Sequence, residues 1–281
     1  MRFLETARGL VELTRPGNVL LSGLLTFIGA FVAEGGTALA IPVAAAVVAT
    51  MFAVGAGNAI NDYFDREIDR INDPDRPIPR GDVEPRQALW FSIVLFGGAV
   101  ALAITLPWQA VLIAGINLVA LVAYTELFKG LPAVGNLVVA YLGGSTFLFG
   151  AAAVPALDPV VFVLFGLASL STATREIIKD VEDIEGDREE GLNTLPMAIG
   201  ERRALHVGTA LLVLAVLGSP VPYLLETFGI VYLVAVAPAV ALFLWGAREG
   251  YTDPASGQRR LKLGMLCAAL AFVVGRGVTL L

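Results

Sequence analysis

Apolar runs of roughly 18–22 residues recur along this 281-residue chain, and they restrict its possible folds more than any other feature. Each run is long enough to cross the hydrocarbon core of a bilayer as a helix. Only 16% of the residues are charged, far below the proportion in soluble domains. We predict an all-α polytopic membrane protein with nine spans. The predicted spans are 16–34, 38–60, 86–106, 108–126, 132–152, 158–178, 204–222, 226–247 and 260–280.

Positive charge is distributed unevenly between the predicted connections. With a cytoplasmic N-terminus, the segments on the cytoplasmic side contain 18 of the 19 Lys and Arg residues, whereas the opposite connections contain none. The cytoplasmic segments are 1–15, 61–86, 126–131, 175–203 and 248–262, and the opposite ones are 35–37, 105–110, 153–158 and 219–226. By the positive-inside rule, this pattern predicts a multi-pass cell-membrane protein with its N-terminus in the cytoplasm.

Two acidic motifs follow the second and sixth predicted spans. The stretches "NDYFDREID" and "DVEDIEGD" both contain the spacing D-x2-D-x3-D. Their carboxylates are Asp62, Asp65 and Asp69 in the first motif, and Asp180, Asp183 and Asp187 in the second. This spacing places three carboxylates on one face of a helix, where they repel one another unless a cation lies between them.

A solvated helix end is the ordinary explanation for such charge. However, 17 of the 25 acidic residues fall within 58–87 and 175–201, whereas other connections on the same side contain few. Oxygen ligands suit Mg²⁺, which commonly shares its coordination sphere with substrate phosphates. Cations for a bound anion are also near the motifs, namely Arg66, Arg76, Lys129, Arg175 and Lys179. The sequence therefore predicts two facing carboxylate clusters that hold a metal–diphosphate group.

The two motifs also indicate an internal repeat, because they lie four predicted helices apart. Each is followed by a Pro-containing loop, "RPIP" at 76–79 and "NTLP" at 193–196. We predict one membrane domain, 1–281, built from four-helix units at about 16–126 and 132–247 plus a ninth helix. No Walker-type glycine loop is present, so nucleoside triphosphate chemistry is not indicated. Neither a nucleic acid nor a protein partner is indicated.

The paired motifs, together with "YTELFK" at 124–129, resemble the UbiA superfamily of intramembrane prenyltransferases along the whole chain. The resemblance implies a helical bundle around a central cavity that opens laterally to lipid. It also implies that an isoprenoid diphosphate is ionised and its prenyl group passed to a lipophilic acceptor. The local sequences "GNLVVAYLGGS" and "REIIKDVEDIEGD" most resemble the branch that adds a second geranylgeranyl chain to geranylgeranylglyceryl phosphate for archaeal ether lipids.

Roles for individual residues follow from the motifs and the resemblance. Each aspartate triplet is expected to bind one Mg²⁺, so that two ions bridge the diphosphate. Asn61 and Asn58 would complete or support the first site, and Tyr124 would donate to the diphosphate or shield the cation. Diphosphate oxygens would be bound by Arg76, Lys129 and Lys179. For the acceptor phosphate, the candidates by position are Arg15, Arg175 and Lys179, and Asn18 is a further polar candidate.

Two alternatives stay open at this point. A related enzyme with an aromatic acceptor, such as a hydroxybenzoate or naphthoate, or with a tetrapyrrole acceptor, would carry the same metal motifs. A cation transporter would use acidic clusters at inverted repeats, but it should place ionisable groups near the middle of the bilayer. In this chain the acids lie at the ends of the predicted spans, which favours chemistry on a charged headgroup.

Overall fold

The computed structural model describes residues 2–34, 40–128, 130–155, 158–189 and 191–281. Within these ranges the chain forms helices and their connections, without a β-strand. The helices are α1 (Arg2–Leu13), α2 (Pro16–Glu34), α3 (Ala40–Phe64), α4 (Arg66–Asn72), α5 (Pro85–Ala103), α6 (Trp108–Ala123), a π-helical turn (Tyr124–Phe128), α7 (Val134–Ala152), α8 (Val160–Glu182), α9 (Ile184–Glu189), α10 (Leu195–Ile199), α11 (Glu201–Gly218), α12 (Val221–Leu224), α13 (Ile230–Glu249) and α14 (Pro254–Thr279).

Eight of the described helical segments are long and apolar enough to cross a membrane. They correspond to α2, α3, α5, α7, α8, α11 with α12, α13 and α14. The prediction of an all-helical, multi-pass membrane protein is therefore confirmed. The count of nine spans is not confirmed, because α6 has only 16 residues. That helix is apolar and continues directly into the π-helical turn.

Several helices extend beyond the predicted apolar spans, because polar turns continue them. The ninth span was expected to begin at 260, but α14 begins at Pro254. There the Asp253 side chain accepts a hydrogen bond from the backbone N–H of Ser256, 3.0 Å away, and proline suits the first helical position. The predicted outer connection 35–37 and the predicted ligand Lys129 lie outside the described residues.

Glycine allows α2 and α7 to approach closely at the centre of the bundle. A Cβ atom added at Gly150 would lie 1.8 Å from the carbonyl oxygen of Thr26, and one added at Gly29 would lie 2.1 Å from that of Phe147. The contact is thus reciprocal, with each helix placing a glycine against the backbone of the other. Small residues at helix interfaces are a common basis of packing in membranes. These two helices are the first of each predicted four-helix unit.

Helix α1 forms a cover over the end of the bundle where the motifs lie. Leu13 is buried together with Ile78 and Val83 from the loop that follows the first motif. The Thr6 hydroxyl donates to the carbonyl of Asp82 across 3.0 Å. The turn into α2 gives Arg15 a φ of 52°, a left-handed conformation that is uncommon for residues other than glycine. This turn places the Arg15 side chain beside the first motif.

Candidate active site

The first motif encloses a guanidinium group between two buried carboxylates. Asp62, at the end of α3, is 4% exposed, and Asp69, in α4, is 5% exposed. The Nη1 atom of Arg76 lies 2.8 Å from Oδ2 of Asp69 and 3.4 Å from Oδ1 of Asp62. Arg15 Nη2 lies 2.8 Å from the same oxygen of Asp62. These two aspartates therefore face one cation, although they lie on two helices, α3 and α4, and not on one continuous helix face as expected.

Burial dominates the electrostatics of this cluster. Desolvation raises the pKa of the Asp69 carboxyl above its usual value, and attraction to Arg76 offsets only part of that effect. The nearby carboxylate of Asp62 also acts to raise this pKa. A further cation beside these oxygens would favour their charged forms.

The other predicted residues of the first motif have different positions. Asp65 is half-buried and stands between α3 and α4. The Asn58 side chain donates to the carbonyl of Thr14 across 2.7 Å, so this amide fastens α3 to the turn before α2. Asn61 is half-buried near the end of α3, whereas Asn18 is exposed on α2.

In the second motif, Asp180 has a direct partner on another helix. Oδ2 of Asp180 accepts a hydrogen bond from Nδ2 of Asn136, on α7, across 2.7 Å. Asp183 is exposed and lies 3.8 Å from Nζ of Lys179, one helical turn earlier. Asp187 is half-buried in α9. Arg175 is paired with the neighbouring Glu176 through Nη2 and Oε1.

A small polar cavity lies beside Asp180. Its volume is about 30 Å³, and its polar lining comes from Tyr124, Asn136, Glu176, Asp180 and Thr194. The Thr194 hydroxyl is buried and finds no hydrogen-bond partner among the described residues. Tyr124 lies within electrostatic range of the first motif at Asp65 and of the second motif at Asp180. The π-helical turn therefore lies near both acidic motifs.

Sequence reasoning missed three residues of this cavity, Asn136, Glu176 and Thr194. The signals were present, because Asn136 follows Gly135 at the start of an otherwise apolar helix. Glu176 lies four residues before Asp180 and hence on the same helix face. Thr194 precedes the helix α10 that continues the Pro-containing loop. The D-x2-D-x3-D pattern includes only aspartates and therefore did not predict these three residues.

A second cavity, of about 60 Å³, is almost entirely apolar and lies between α2, α7, α8, α11, α13 and α14. Ser171 contributes to it from α8. Nine residues, or about two and a half helical turns, separate Ser171 from Asp180, so the two residues lie on opposite sides of α8. The Ser171 hydroxyl is satisfied by the carbonyl of Leu167, 2.8 Å away. This cavity belongs to the packed interior behind the motif face of α8.

Three or more His, Cys, Asp or Glu side chains do not converge into a preformed metal site anywhere in the described part of the chain. Mg²⁺ is nevertheless compatible with the donor set, because it usually takes one or two carboxylates and completes its coordination with water and phosphate oxygens. The Nη1 atom of Arg76 already lies between two carboxylates, where a cation is favoured. The assignment of each aspartate triplet to one ion stays a prediction.

The fold and the paired motifs define a class of intramembrane enzyme, and comparison with known proteins agrees with this. The model of the UbiA prenyltransferase family matches residues 22–274. The chain belongs to this family. Over 273 residues it is 61% identical to digeranylgeranylglyceryl phosphate synthase of Natronomonas pharaonis, which covers 97% of this chain and 98% of that protein.

Two solved structures share this fold. A structure reported for digeranylgeranylglyceryl phosphate synthase in membranes is 35% identical, with a TM-score of 0.81 over 98% of this chain and 99% of that chain. A UbiA homologue from Archaeoglobus fulgidus, solved with GPP and Mg²⁺, is 21% identical. Its TM-score is 0.76 over 97% of this chain and 99% of that chain.

Proposed function

We propose that this protein transfers a geranylgeranyl group from geranylgeranyl diphosphate to geranylgeranylglyceryl phosphate, forming an ether bond and releasing diphosphate. The observation that carries the proposal is the 61% identity to a digeranylgeranylglyceryl phosphate synthase over nearly the whole of both chains. The geometry supports it, because two acidic motifs, several cations and Tyr124 meet at one end of an apolar bundle. A charged headgroup would bind at this end while its prenyl chain lies among the helices.

Magnesium is the proposed cofactor, in agreement with the Mg²⁺ bound to the Archaeoglobus homologue. The proposed ligands are Asp62, Asp65 and Asp69 for one ion, and Asp180, Asp183 and Asp187 for a second. When bound, the metal neutralises the charge that develops on the leaving diphosphate. Two ions agree with two acidic motifs that have different partners, since Asp69 pairs with Arg76 and Asp180 with Asn136.

The protein's own residues would bind and orient the substrates. Arg76 is placed to hold a diphosphate oxygen, because its guanidinium bridges the two buried aspartates and is itself half-buried. Such preorganised cations stabilise developing negative charge without having to reorganise. Tyr124 would donate its hydroxyl from near both motifs, and Lys129 is proposed for a second diphosphate oxygen. The surrounding apolar helices exclude water, which would otherwise capture the allylic cation as an alcohol.

The proposed topology has nine spans, with the N-terminus and the active site in the cytoplasm. The uneven distribution of Lys and Arg supports this orientation. Helix α6 would be the short ninth span, since 16 residues extend about 24 Å and the π-helical turn continues it toward the motifs. Cysteine labelling in a Cys267→Ala background tests the orientation. Labelling from outside the cell of a cysteine placed at 73 or 190 would contradict it.

One membrane domain with an internal repeat is also part of the proposal. It is supported by the packing of α2 against α7, the first helix of each unit, through Gly29 and Gly150. The same kind of helix break follows α3 and α8, the second helix of each unit. The proposed partners are the isoprenoid diphosphate, the lipophilic acceptor and the bilayer, without a nucleic acid or an obligatory protein partner.

The decisive experiment supplies membranes containing the protein with labelled geranylgeranyl diphosphate and a panel of acceptors. We expect the label to enter geranylgeranylglyceryl phosphate and the product mass to increase by one geranylgeranyl group. Membranes containing a variant with both Asp65→Ala and Asp183→Ala serve as the control. Prenylation of 4-hydroxybenzoate or a naphthoate without turnover of the glycerol phosphate ether would favour the aromatic alternative.

A further inference from the structure

Glu176 is a buried carboxylate outside the two aspartate motifs. It is 9% exposed and lies in α8, four residues before Asp180. Residues four apart occupy the same face of a helix, and their separation along its axis is about 6 Å. Because the second motif closes the end of α8, Glu176 lies one turn farther into the bundle than Asp180. It is therefore closer than the aspartates to the apolar interior.

Glu176 borders the small polar cavity and shares it with Thr194, whose buried hydroxyl has no hydrogen-bond partner among the described residues. Thr194 is 7% exposed. A volume of about 30 Å³ exceeds the roughly 10–15 Å³ that one water requires. Tyr124, Asn136 and Asp180 supply further polar partners. Water in this cavity would connect the Glu176 carboxylate with the end of the bundle that carries the motifs.

The hydrogen-bond partner of Glu176, Arg175, also bears on how the acceptor would bind. Oε1 of Glu176 accepts a hydrogen bond from Nη2 of Arg175, so a carboxylate and a cation lie side by side. The proposed acceptor has matching chemistry, because its free hydroxyl is on the carbon next to the one that bears the phosphate. A phosphate held by Arg175 would bring that neighbouring hydroxyl toward Glu176. An aromatic acceptor without a phosphate would make no use of this pairing.

Among the nearby acidic residues, the position of Glu176 along α8 best suits contact with the reacting carbon. A diphosphate bound by the aspartates would lie at the end of α8, with its prenyl chain running inward. The allylic carbon C1 would then be on the inner side of the diphosphate, near the level of the residue one turn deeper. Asp180 is closer to the diphosphate, and its Oδ2 atom is already engaged by Asn136.

We propose that Glu176 is the proton acceptor for the attacking hydroxyl, an inference that rests on the proposed function. A lone pair of the hydroxyl oxygen forms the bond to C1, and the bond between C1 and the diphosphate oxygen breaks with its electron pair leaving on diphosphate. The hydroxyl proton passes to the Glu176 carboxylate, directly or through cavity water. It then leaves to solvent through the same water, which restores the carboxylate.

The test is Glu176→Gln, which preserves the shape and keeps an oxygen for Arg175 but removes the base. We expect ether formation to fall at least about 100-fold, the lower range for loss of a general base. Ionisation should persist, measured as movement of ¹⁸O from the bridging to the non-bridging positions of geranylgeranyl diphosphate. The ratio of geranylgeraniol to ether should rise, because water captures the cation that the acceptor no longer traps.

Two further variants make the test specific. Glu176→Asp retains a carboxylate and should recover a large part of the ether, even if its folding yield differs. Glu182→Gln is the matched control, because Glu182 is an exposed acid of α8 bonded to Gln258 and lies on another face. We expect Glu182→Gln to keep the wild-type product ratio.

The outcomes separate the inference from the function on which it rests. A wild-type ratio of alcohol to ether in Glu176→Gln would overturn the assignment. Equal losses of isotope movement and ether formation would also overturn it, because they would indicate a role in diphosphate binding or folding. Wild-type protein that ionises the diphosphate but prenylates only aromatic acceptors would refute the proposed function itself.

Discussion

Asp65 and Asp183 occupy the same position in two matching helix breaks. Asp65 separates α3 from α4 with φ −81° and ψ 0°, and Asp183 separates α8 from α9 with φ −94° and ψ 6°. Their backbone N–H groups still donate to the carbonyls of Asn61 and Lys179, at 2.8 and 2.9 Å. The central aspartate of each motif therefore lies in the sparsely populated backbone region where many active-site residues are found.

This equivalence predicts that Asp65→Ala and Asp183→Ala have similar effects. Each variant should lose at least about 100-fold in turnover, because several kcal/mol of charge stabilisation are removed and about 1.4 kcal/mol corresponds to a tenfold change in rate. Turnover in both proteins should also need Mg²⁺ or Mn²⁺, as in the wild type. The measurement is prenyl transfer by purified protein over a range of metal concentrations.

Matched controls for these two variants are available in the same segments. Asp75→Ala and Glu185→Ala remove exposed acids next to the first and second motifs. Both controls should retain turnover within about threefold, since exposed charges contribute little. Near-normal turnover in either Asp65→Ala or Asp183→Ala would show that the metal assignment is wrong.

The sequence predicted the features that depend on local pattern. Apolar runs in the sequence predicted the spans. The sequence also predicted a single helix face for Asp62 and Asp69, which was wrong because the helix breaks at Asp65, although both carboxylates contact Arg76. It could not predict contacts that arise when distant helices pack. Asn136 is 44 residues from Asp180, and Arg15 is 47 residues from Asp62. Helix packing and the left-handed turn at Arg15 decide these pairs, and neither leaves a periodic signal.

Arg76 should stabilise the protein as well as bind substrate. In Arg76→Gln the buried carboxylates of Asp62 and Asp69 lose their shared cation, although Arg15 still contacts Asp62. Since the Arg76 side chain is partly exposed, we expect a loss of about 1–3 kcal/mol in the free energy of unfolding. The diphosphate KM should rise as well. Thermal unfolding in detergent and steady-state kinetics measure the two effects.

The control for Arg76 is Arg80→Gln in the same loop. Arg80 pairs with Glu12 and Asp82 at the surface, at 3.0 and 2.7 Å. Exposed ion pairs contribute about 0–1 kcal/mol, so stability and diphosphate KM should change little. If Arg80→Gln and Arg76→Gln behaved alike, a general effect of loop charge would replace the specific role given to Arg76.

The substitution Gly150→Ala tests the contact between α2 and α7. The added methyl group of Gly150→Ala would lie 1.8 Å from the Thr26 carbonyl oxygen, so one helix backbone must shift. Overpacking costs about 1–3 kcal/mol when side chains can adjust, and a backbone contact should reach or exceed the upper end. Thermal unfolding measures the loss. Gly166→Ala, where the added atom meets nothing within 4 Å, should leave the melting temperature nearly unchanged.

Arg175 provides the test of acceptor recognition. Its guanidinium is paired with Glu176 and is partly exposed, so it can contact a phosphate while it keeps this partner. A charge-assisted hydrogen bond contributes about 1.5–3 kcal/mol, which corresponds to about a 10- to 100-fold change in binding. In Arg175→Gln the KM for geranylgeranylglyceryl phosphate should therefore rise by about that factor. The KM for geranylgeranyl diphosphate should change by less than about threefold, because the proposed diphosphate ligands are elsewhere.

Two variants serve as controls for Arg175→Gln. Arg175→Lys keeps the charge, so its KM for the acceptor should lie between those of the wild type and Arg175→Gln. Arg203→Gln, an exposed change in α11, should have the wild-type KM. Equal increases in both KM values would indicate that Arg175 binds the diphosphate. The acceptor phosphate would then have to be bound by another cation.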